Sequence, residues 1–330
     1  MNSGQDFFSF FAFRLAEFQH FNAYRSGLTI QNGGYRLIGF VGKGRSADVF
    51  NVKSLDSPDQ LSVKVCPITR SSSKLALLRE LSFSFADSPQ QDYRFVIARD
   101  WFFHSYPGSC VAMVFELCEL DLERFLMLGT SGLNPRISPC ECYRVLCDLT
   151  HALVVLESYS VVHRDLKPAN ILWKRTTEGG IWKLGDFGSC QMSRCEKIHG
   201  STHRAFIGTV HTASPEALAC QSLTPKSDIW SLGCNVWEVV VLRRPFRVAD
   251  LLAYQNNCFK PGHFPIDRMI CKPSLACNSH DKKSIMKIVR RFMLVPRVDQ
   301  RFSASQLAQL IQSIRVPIVT DGLTAMSVCK

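Results

Sequence analysis

The feature that most constrains this chain of 330 residues is a polar run, His163-Arg164-Asp165-Leu166-Lys167-Pro168-Ala169-Asn170, followed downstream by Asp186-Phe187-Gly188. Between the two motifs lie short apolar segments, Ile171–Trp173 and Ile181–Leu184, which predict two strands joined by a glycine-containing loop. Charged and amide side chains are therefore concentrated immediately before and after these strands. The two motifs are too long to occur together at this spacing by chance. Any proposed fold therefore has to explain both.

The first part of the chain is predicted to be a sheet with one helix. Apolar runs bounded by turn residues predict the strands, and Gly42-Lys43-Gly44 and Ser57-Pro58-Asp59-Gln60 mark two of the turns. Ser71–Phe85 begins with serines and continues with leucines, a pattern typical of a helix. The predicted strands are Tyr35–Val41, Val49–Lys53, Leu61–Cys66, Val96–Phe103 and Cys110–Leu117.

After about residue 118 the pattern becomes helical. Ser138-Pro139 predicts a helix start, because serine caps helices and proline is tolerated at the first helical position. Asp228–Leu242 is apolar enough to predict a buried helix, and another helix is predicted over Asp281–Met293. The expected fold is α+β and bilobal, with a small β-rich N-lobe, a larger α-helical C-lobe and a cleft between them. The predicted organisation is a Phe-rich extension over 1–34, an N-lobe over 35–117, a C-lobe over 118–315 and a tail over 316–330.

Composition argues against several classes of protein. Hydrophobic residues make up 46% and charged residues 20%, which is typical of a folded domain. No apolar stretch reaches the roughly 18 residues of a membrane helix, and the N-terminus lacks a positive leading segment, so a secretory signal is not expected. The 14 cysteines include no CxxC pair, which favours free thiols in an intracellular compartment, cytoplasmic or nuclear, over a zinc site. The net charge is +11, but the basic residues are scattered, so nucleic-acid binding is not expected.

A glycine-rich turn precedes the polar motifs. Gly42-x-Gly44-x-x-Ala47-x-Val49 would let backbone N–H groups approach phosphate oxygens, because glycine has no side chain in the way. Alone, this pattern also fits an ordinary hairpin. Together with the motifs at 163–170 and 186–188, it resembles the eukaryotic-type protein kinases of the Ser/Thr class. The resemblance extends from about Tyr35 to about Ile314.

The resemblance implies an ATP site. Lys64 would hold the α- and β-phosphates, with Glu80 as its partner carboxylate. Glu116 and Cys118 would offer backbone groups to the adenine edge, and Ser62 stands where the family usually has alanine. The residues expected to bind the nucleotide are Val41, Gly42, Lys43, Gly44, Val49, Ser62, Lys64, Glu80, Glu116, Cys118, Leu172 and Asp186.

The resemblance also implies a magnesium-dependent catalytic centre. Asp165 would accept the hydrogen bond of the substrate hydroxyl and take its proton, while Lys167 would neutralise the γ-phosphate. Asn170 would bind one Mg²⁺ ion, and Asp186 would bind the ion that bridges the β- and γ-phosphates, since oxygen ligands suit this hard cation. The residues expected to act in catalysis are Asp165, Lys167, Asn170 and Lys64.

Two features of the resemblance indicate that the acceptor is a Ser or Thr of a protein substrate. Lys167 is typical of Ser/Thr kinases, and Gly208-Thr209 before Ser214-Pro215-Glu216 resembles their substrate loop. Thr209 would bridge Asp165 and Lys167. This complete loop also disfavours a kinase for small molecules, which usually lacks it.

Three further residues are expected to support the site. Glu216 and Arg301 would form a buried ion pair that ties the substrate loop to the C-lobe. Asp228 would hold the backbone of the His163-Arg164 turn, or would only cap a helix. One position departs from the pattern, because Ser84 stands where an apolar residue normally packs toward Phe187, and Phe83 or Phe85 is the candidate substitute.

Control by phosphorylation is implied by Arg164, which precedes the catalytic aspartate. A phosphate on residues 189–212 could pair with this arginine and order the loop. The candidate acceptors are Ser193, Ser201, Thr202 and, less readily because of its structural role, Thr209.

Two alternatives to the active protein kinase stay open, a pseudokinase scaffold and the small-molecule kinase. Arg243, Arg244 and Arg247 hint at acidic or phosphorylated substrates, although a solvated basic face explains them more simply. The sequence does not determine the oligomeric state, the kinase subfamily or the consensus motif of the substrate.

Overall fold

A computed structural model describes residues 34–43, 47–68, 71–85, 92–104, 110–130, 137–177, 179–191, 206–256, 264–271 and 279–314. Several sequence predictions lie outside these residues and stay predictions. They concern the Phe-rich extension, Gly44, the loop sites Ser193, Ser201 and Thr202, and the tail over 316–330.

The described residues form two compact units. The first runs up to Leu117 and also contains Asp186–Gly188, and the second comprises Cys118–Gly185 and the residues from Ser189 onward. The first unit is rich in strands and the second in helices, which confirms the predicted α+β class. Among the described residues, none of the helices has the length and hydropathy needed to cross a bilayer.

The first unit is an antiparallel sheet with one long helix. Along the third strand, Leu61, Val63 and Val65 are buried in the apolar core, so Ser62 and Lys64 project from the opposite face. The strands follow the spatial order β1-β2-β3-β6-β5. The elements are β1 (Tyr35–Lys43), β2 (Asp48–Ser54), β3 (Gln60–Pro67), α1 (Ser71–Phe85), β4 (Phe95–Val96), β5 (Asp100–His104) and β6 (Cys110–Glu116).

The prediction of one strand in this unit was wrong. Val96–Phe103 was expected to be continuous, but residues 97–99 separate β4 from β5. The N–H group of Ala98 donates to the Ser84 hydroxyl at 3.0 Å, so it is not available to a neighbouring strand. A side chain on α1 therefore interrupts the strand, and a local apolar pattern contains no information about such a partner.

The second unit begins with a small antiparallel sheet and continues as helices. β7 (Leu120–Asp121), β8 (Ile171–Lys174) and β9 (Ile181–Gly185) pair in that order, with α2 (Leu122–Thr130) and α3 (Pro139–Ser158) between the first two strands. The Ser138 hydroxyl caps α3 by accepting from the Glu141 N–H group at 3.1 Å, which confirms the predicted start. The remaining helices are α4 (Pro215–Leu218), α5 (Pro225–Val241), α6 (Val248–Gln255), α7 (Ile266–Met269), α8 (His280–Ile288) and α9 (Ala304–Ser313).

The helix predicted over Asp281–Met293 has two parts. α8 is followed by a π-helical turn over Val289–Met293, and the Leu294 N–H group donates to the Val289 carbonyl at 2.8 Å. α5 confirms the predicted buried helix, since nearly all of its side chains are buried. The core of the second unit is formed where α3 packs on α5 and α9.

The predicted ion pair between Glu216 and Arg301 ties α4 to the segment before α9. Two guanidinium nitrogens of Arg301 donate to the two carboxylate oxygens at 2.7 and 3.0 Å, and the arginine side chain is fully buried. Burial opposes ionisation of Glu216, but the hydrogen bonds and charge of Arg301 outweigh it and lower the pKa of this carboxyl. Both charges are therefore compensated inside the second unit.

We expect Arg301→Met to lower the free energy of unfolding by about 3–5 kcal/mol, because Glu216 would be left buried without its partner. Adding Glu216→Met should restore part of the loss. Arg297→Met is the control, because Arg297 pairs with Asp299 at an exposed position and its loss should leave the denaturation midpoint nearly unchanged. Chemical denaturation checks this, and an equal effect of the two single substitutions would contradict it.

Candidate active site

Lys64 is the centre of a charge network in the first unit. Its Nζ atom lies 2.8 Å from a carboxylate oxygen of Glu80 on α1 and 2.9 Å from one of Asp186. The Glu80 side chain is nearly buried, whereas 40% of the Asp186 side chain is exposed. Glu80 therefore fixes the lysine from within the unit, and Asp186 keeps an accessible carboxylate.

The network determines the charge state of its members. Burial lowers the pKa of Lys64, but the carboxylates of Asp186 and Glu80 outweigh burial and raise it well above its usual value. Burial raises the pKa of Glu80, and the charge of Lys64 opposes that rise. A protonated Lys64 beside an ionised Asp186 is the arrangement expected of a phosphate-binding lysine next to a metal-binding carboxylate.

An aromatic cluster holds the phenylalanine that follows Asp186. Phe83 on α1 stacks on Phe187 with ring centroids 3.6 Å apart, and Phe95 meets both rings edge-on at 5.6 Å. Ser84 turns to the backbone, donating to the Glu80 carbonyl at 2.8 Å. The sequence left Phe83 and Phe85 as candidates to pack toward Phe187, and the structure decides for Phe83.

Ser62 forms a hydrogen bond that its sequence position does not reveal. Its hydroxyl donates to the backbone carbonyl of Glu116 at 3.2 Å. The glycine-rich turn was expected next to this strand, and Val49 pairs with both Lys64 and Gly42 in the sheet. The first unit thus contains part of the predicted nucleotide set, on the neighbouring strands β1, β2, β3 and β6, on α1 and at Asp186. Its described members are Val41, Gly42, Lys43, Val49, Ser62, Lys64, Glu80, Glu116 and Asp186.

The second unit brings the predicted catalytic residues together around Asp165. Lys167 Nζ lies 2.7 Å from one carboxylate oxygen, and the Thr209 hydroxyl donates to the other at 2.6 Å. Asn170 donates to the Asp165 carbonyl at 2.8 Å, so its side-chain oxygen points away from this bond. Thr209 and Lys167 therefore meet on the same carboxylate. Of the remaining predicted residues, Cys118 begins the second unit and Leu172 lies on β8.

Asp228 anchors the backbone of the predicted catalytic segment, residues 163–170. Its two oxygens accept from the N–H groups of His163 at 2.7 Å and Arg164 at 3.1 Å. Thr224 is the N-cap of α5, so Asp228 does not act as a simple cap. Burial raises the pKa of Asp228, and the charge and N–H groups of His163 and Arg164 oppose the rise. Asn235 adds a second anchor by donating to the Leu166 carbonyl at 3.2 Å.

Gly208 allows the substrate loop to approach this segment. Its φ of +119° is rarely adopted by other residues, and a Cβ atom there would collide with the Arg164 carbonyl oxygen. The close approach places Thr209 against Asp165. The sequence identified Gly208 only as part of a motif. The need for glycine follows from its positive φ and from its close approach to the Arg164 carbonyl group.

Arg164 already binds the start of the loop that it was expected to order through a phosphate. Its Nε atom donates to the Ser189 carbonyl at 2.6 Å, and a terminal nitrogen donates to the Cys190 carbonyl at 3.2 Å. A phosphate on the loop would have to compete with these contacts or add to them. Arg244 and Arg247, noted as a basic cluster, are also engaged, the first near Glu238 at 3.6 Å and the second with Asp250 at 2.9 Å.

Sequence reasoning missed His211, which follows Thr209 in the substrate loop. Burial, the nearby Arg244 and Lys167 lower its pKa to about 4, so the imidazole stays neutral at physiological pH. A neutral imidazole adds no positive charge beside the Asp165–Lys167 pair. The one available signal was its position two residues after Thr209.

Comparison with known proteins agrees with this geometry. Residues 35–310 match the protein kinase domain family. The mouse serine/threonine-protein kinase Nek2 is 41% identical over 145 residues, or 42% of this chain and 31% of Nek2. The probable serine/threonine-protein kinase mps1 of Dictyostelium discoideum is 25% identical over 283 residues, or 79% of this chain and 27% of that relative. The mouse inactive serine/threonine-protein kinase PLK5 is 28% identical over 233 residues, or 70% of this chain and 36% of PLK5.

A β-rich unit with the Lys64–Glu80 pair and a helical unit with the Asp165 segment define the class of protein. The chain belongs to the protein kinase family, because the match covers residues 35–310 of its 330. The aligned segments span only 27% to 36% of the lengths of these three relatives, of which two are named as Ser/Thr kinases and one as an inactive kinase.

We expect Phe83→Leu to reduce the rate of phosphotransfer severalfold, because Phe187, next to Asp186, would lose its stacking partner. The loss of stability should be modest, about 1 kcal/mol for one aromatic pair. Phe102→Leu on β5, which loses a stacking contact with Tyr35 in the same unit, is the control and should leave the rate nearly unchanged. Steady-state kinetics with thermal denaturation checks this, and a stronger effect at Phe102 would contradict the assignment.

Proposed function

We propose that this protein transfers the γ-phosphate of ATP to Ser or Thr hydroxyl groups of other proteins. The observation that carries the proposal is that no acid, lysine or amide of the phosphotransfer set is missing. Lys64, Glu80 and Asp186 form ion pairs in the first unit, and Lys167 and Thr209 both contact Asp165 in the second. A decayed kinase would be expected to have lost one of these groups.

The residues fit ATP and Mg²⁺ by the chemistry of their donors. In this proposal, the protonated Lys64 binds the α- and β-phosphates, and Glu80 keeps the lysine in place. Asp186 and Asn170 supply oxygen ligands for Mg²⁺, an ion that is usually held by one or two carboxylates together with phosphates and water. The metal ion supplies neutralisation of the charge that develops on the transferred group.

Asp165 orients the acceptor hydroxyl and takes its proton in the proposed mechanism. Thr209 donates to one of its oxygens and Lys167 contacts the other, so the carboxylate is held in one orientation. The ammonium of Lys167 is then placed to neutralise the γ-phosphate. Phosphoryl transfer depends mostly on such positioning and charge neutralisation, because its transition state is loose.

A protein substrate is proposed because the substrate loop is complete. Gly208, Thr209 and the buried Glu216 hold that loop against the second unit, and neutral His211 lies within it. We further propose an intracellular location, cytoplasmic or nuclear, because the 14 cysteines are irregularly spaced and include no CxxC pair, as expected of thiols in a reducing compartment. A pseudokinase scaffold is the alternative function, supported by the likeness to a relative that is named inactive.

Asp165→Asn should lower autophosphorylation and peptide phosphorylation with Mg²⁺-ATP at least about 100-fold, since a general base contributes roughly 10²–10⁴ in rate. The folded state should persist, because the amide keeps the shape of the carboxylate. Asp59→Asn, an exposed change of the same kind, is the control. Wild-type protein without phosphotransfer would favour the scaffold, and undiminished activity in Asp165→Asn would disprove the role of Asp165.

Control by loop phosphorylation is part of the proposal. Phosphatase treatment should lower the activity, because the phosphate would add negative charge for Arg164 to bind. The triple variant Ser193→Ala/Ser201→Ala/Thr202→Ala should have low activity that phosphatase no longer changes. Kinetic assays before and after treatment, with mass spectrometry of the loop, check this. Unchanged activity of the dephosphorylated wild type would remove phosphorylation as the control.

A further inference from the structure

The exposed face of α8 and its π-helical turn carries four basic side chains. Lys283, Lys287, Arg290 and Arg291, here called the α8 basic stripe, are all exposed, whereas Ile285, Met286, Ile288 and Val289 between them are buried. Lys283, Lys287 and Arg290 follow one another at spacings of four and three residues, which place them along one side of the helix, and Arg291 is adjacent to Arg290. The four exposed side chains therefore form a local concentration of positive charge.

The positive charge of this stripe is not balanced within the part of the second unit that the structure describes. None of the four side chains forms an ion pair with a described carboxylate. Asp281 faces His280 at 3.8 Å, Asp267 shares a pocket wall with Arg290, and the Arg291 guanidinium lies 5.5 Å from the centre of the Phe292 ring. Arg244, Arg247 and Arg297 of the same unit, by contrast, each lie beside an acid. Four like charges at this spacing repel one another, so an anionic partner would be stabilised here.

A half-open pocket with both apolar and charged residues in its wall adjoins the stripe through Arg290. Its volume is about 180 Å³, and Arg290 and Asp267 are the charged residues in its wall. The apolar wall is formed by Ile266, Ile270, Leu294, Val295 and Pro296. Small-molecule sites usually enclose roughly 300–1,000 Å³. This pocket is smaller, so it fits one large apolar side chain better than a metabolite.

We propose that the α8 basic stripe and this pocket form a docking site for an acidic segment of a partner protein. One apolar side chain of the segment enters the pocket, and Asp or Glu residues beside it bind Lys287 and Arg290. The stripe supplies charge complementarity, which favours rapid encounter and the correct partner, and the apolar residues of the pocket supply a contact for one anchoring side chain. The inference does not depend on phosphotransfer, because none of these residues belongs to the proposed catalytic set.

Other anionic partners fit the surface less well. A membrane-binding helix exposes large apolar residues, but those of α8 are buried. Nucleic acid binds a basic groove through its phosphates, and single strands add base stacking on aromatic side chains. Neither partner would use a half-open pocket whose wall is formed mainly by apolar residues. An acidic peptide uses both the stripe and the pocket.

The test measures binding of fluorescein-labelled dodecapeptides to the full chain by fluorescence polarisation. Each peptide has one central Leu, Ile, Met or Phe flanked by glutamates, and a matched set has serine at the centre. At least one anchored peptide should bind. Lys287→Glu/Arg290→Glu should weaken that binding about tenfold or more, and serine at the centre should weaken binding to the wild type about fivefold, equivalent to about 1 kcal/mol.

The control is Arg36→Glu/Lys53→Glu, an exposed cross-strand pair of the first unit that changes the net charge by the same amount. It should alter binding less than twofold. Three outcomes would overturn the proposal. The two double variants could lose binding equally, every anchored peptide could fail to bind at low salt, or the serine peptides could bind as well as the anchored ones. Binding of duplex DNA or of phosphatidylserine vesicles that depends on Lys287 and Arg290, without peptide binding, would assign the surface to those partners instead.

Discussion

The charge network of Lys64 is the interaction on which the site in the first unit depends. A lysine on β3 stays protonated inside the unit because Glu80 on α1 and Asp186 both lie within hydrogen-bonding distance. The same helix supplies Phe83, which stacks on Phe187 next to Asp186. The position of α1 therefore determines where Glu80 meets Lys64 and where Phe83 stacks on Phe187. A shift of this helix would disturb the ion pair and the aromatic cluster together.

In the second unit, buried backbone groups likewise need hydrogen-bond partners. The catalytic segment contains N–H groups that lie outside regular secondary structure, and buried groups of this kind need partners. Asp228 binds two of them and Asn235 binds a carbonyl, so α5 holds the segment from one side. Gly208 lets the substrate loop approach from another side. The segment that contains Asp165 is consequently held by residues from other parts of the second unit.

Sequence patterns predicted much of this arrangement because the relevant signals are local. Ser138-Pro139 marked a helix start, and the apolar run of α5 marked a buried helix. The prediction failed where a distant residue decides the outcome. Ser84 accepts from the Ala98 N–H group and interrupts a predicted strand, and the choice between Phe83 and Phe85 required the stack of Phe83 on Phe187 to be seen. The π turn after α8 likewise lies within a pattern that reads as ordinary helix.

The sequence by itself determined the family, the change from a strand-rich to a helix-rich part, and the residue types available for phosphotransfer, because each is encoded in local motifs and patterns. Tertiary structure alone decided that Arg164 binds the backbone carbonyls of Ser189 and Cys190 and that His211 stays neutral. It also placed a half-open pocket beside the basic residues of α8. These outcomes depend on burial and on neighbours far apart in the chain, which no local pattern of residues can specify.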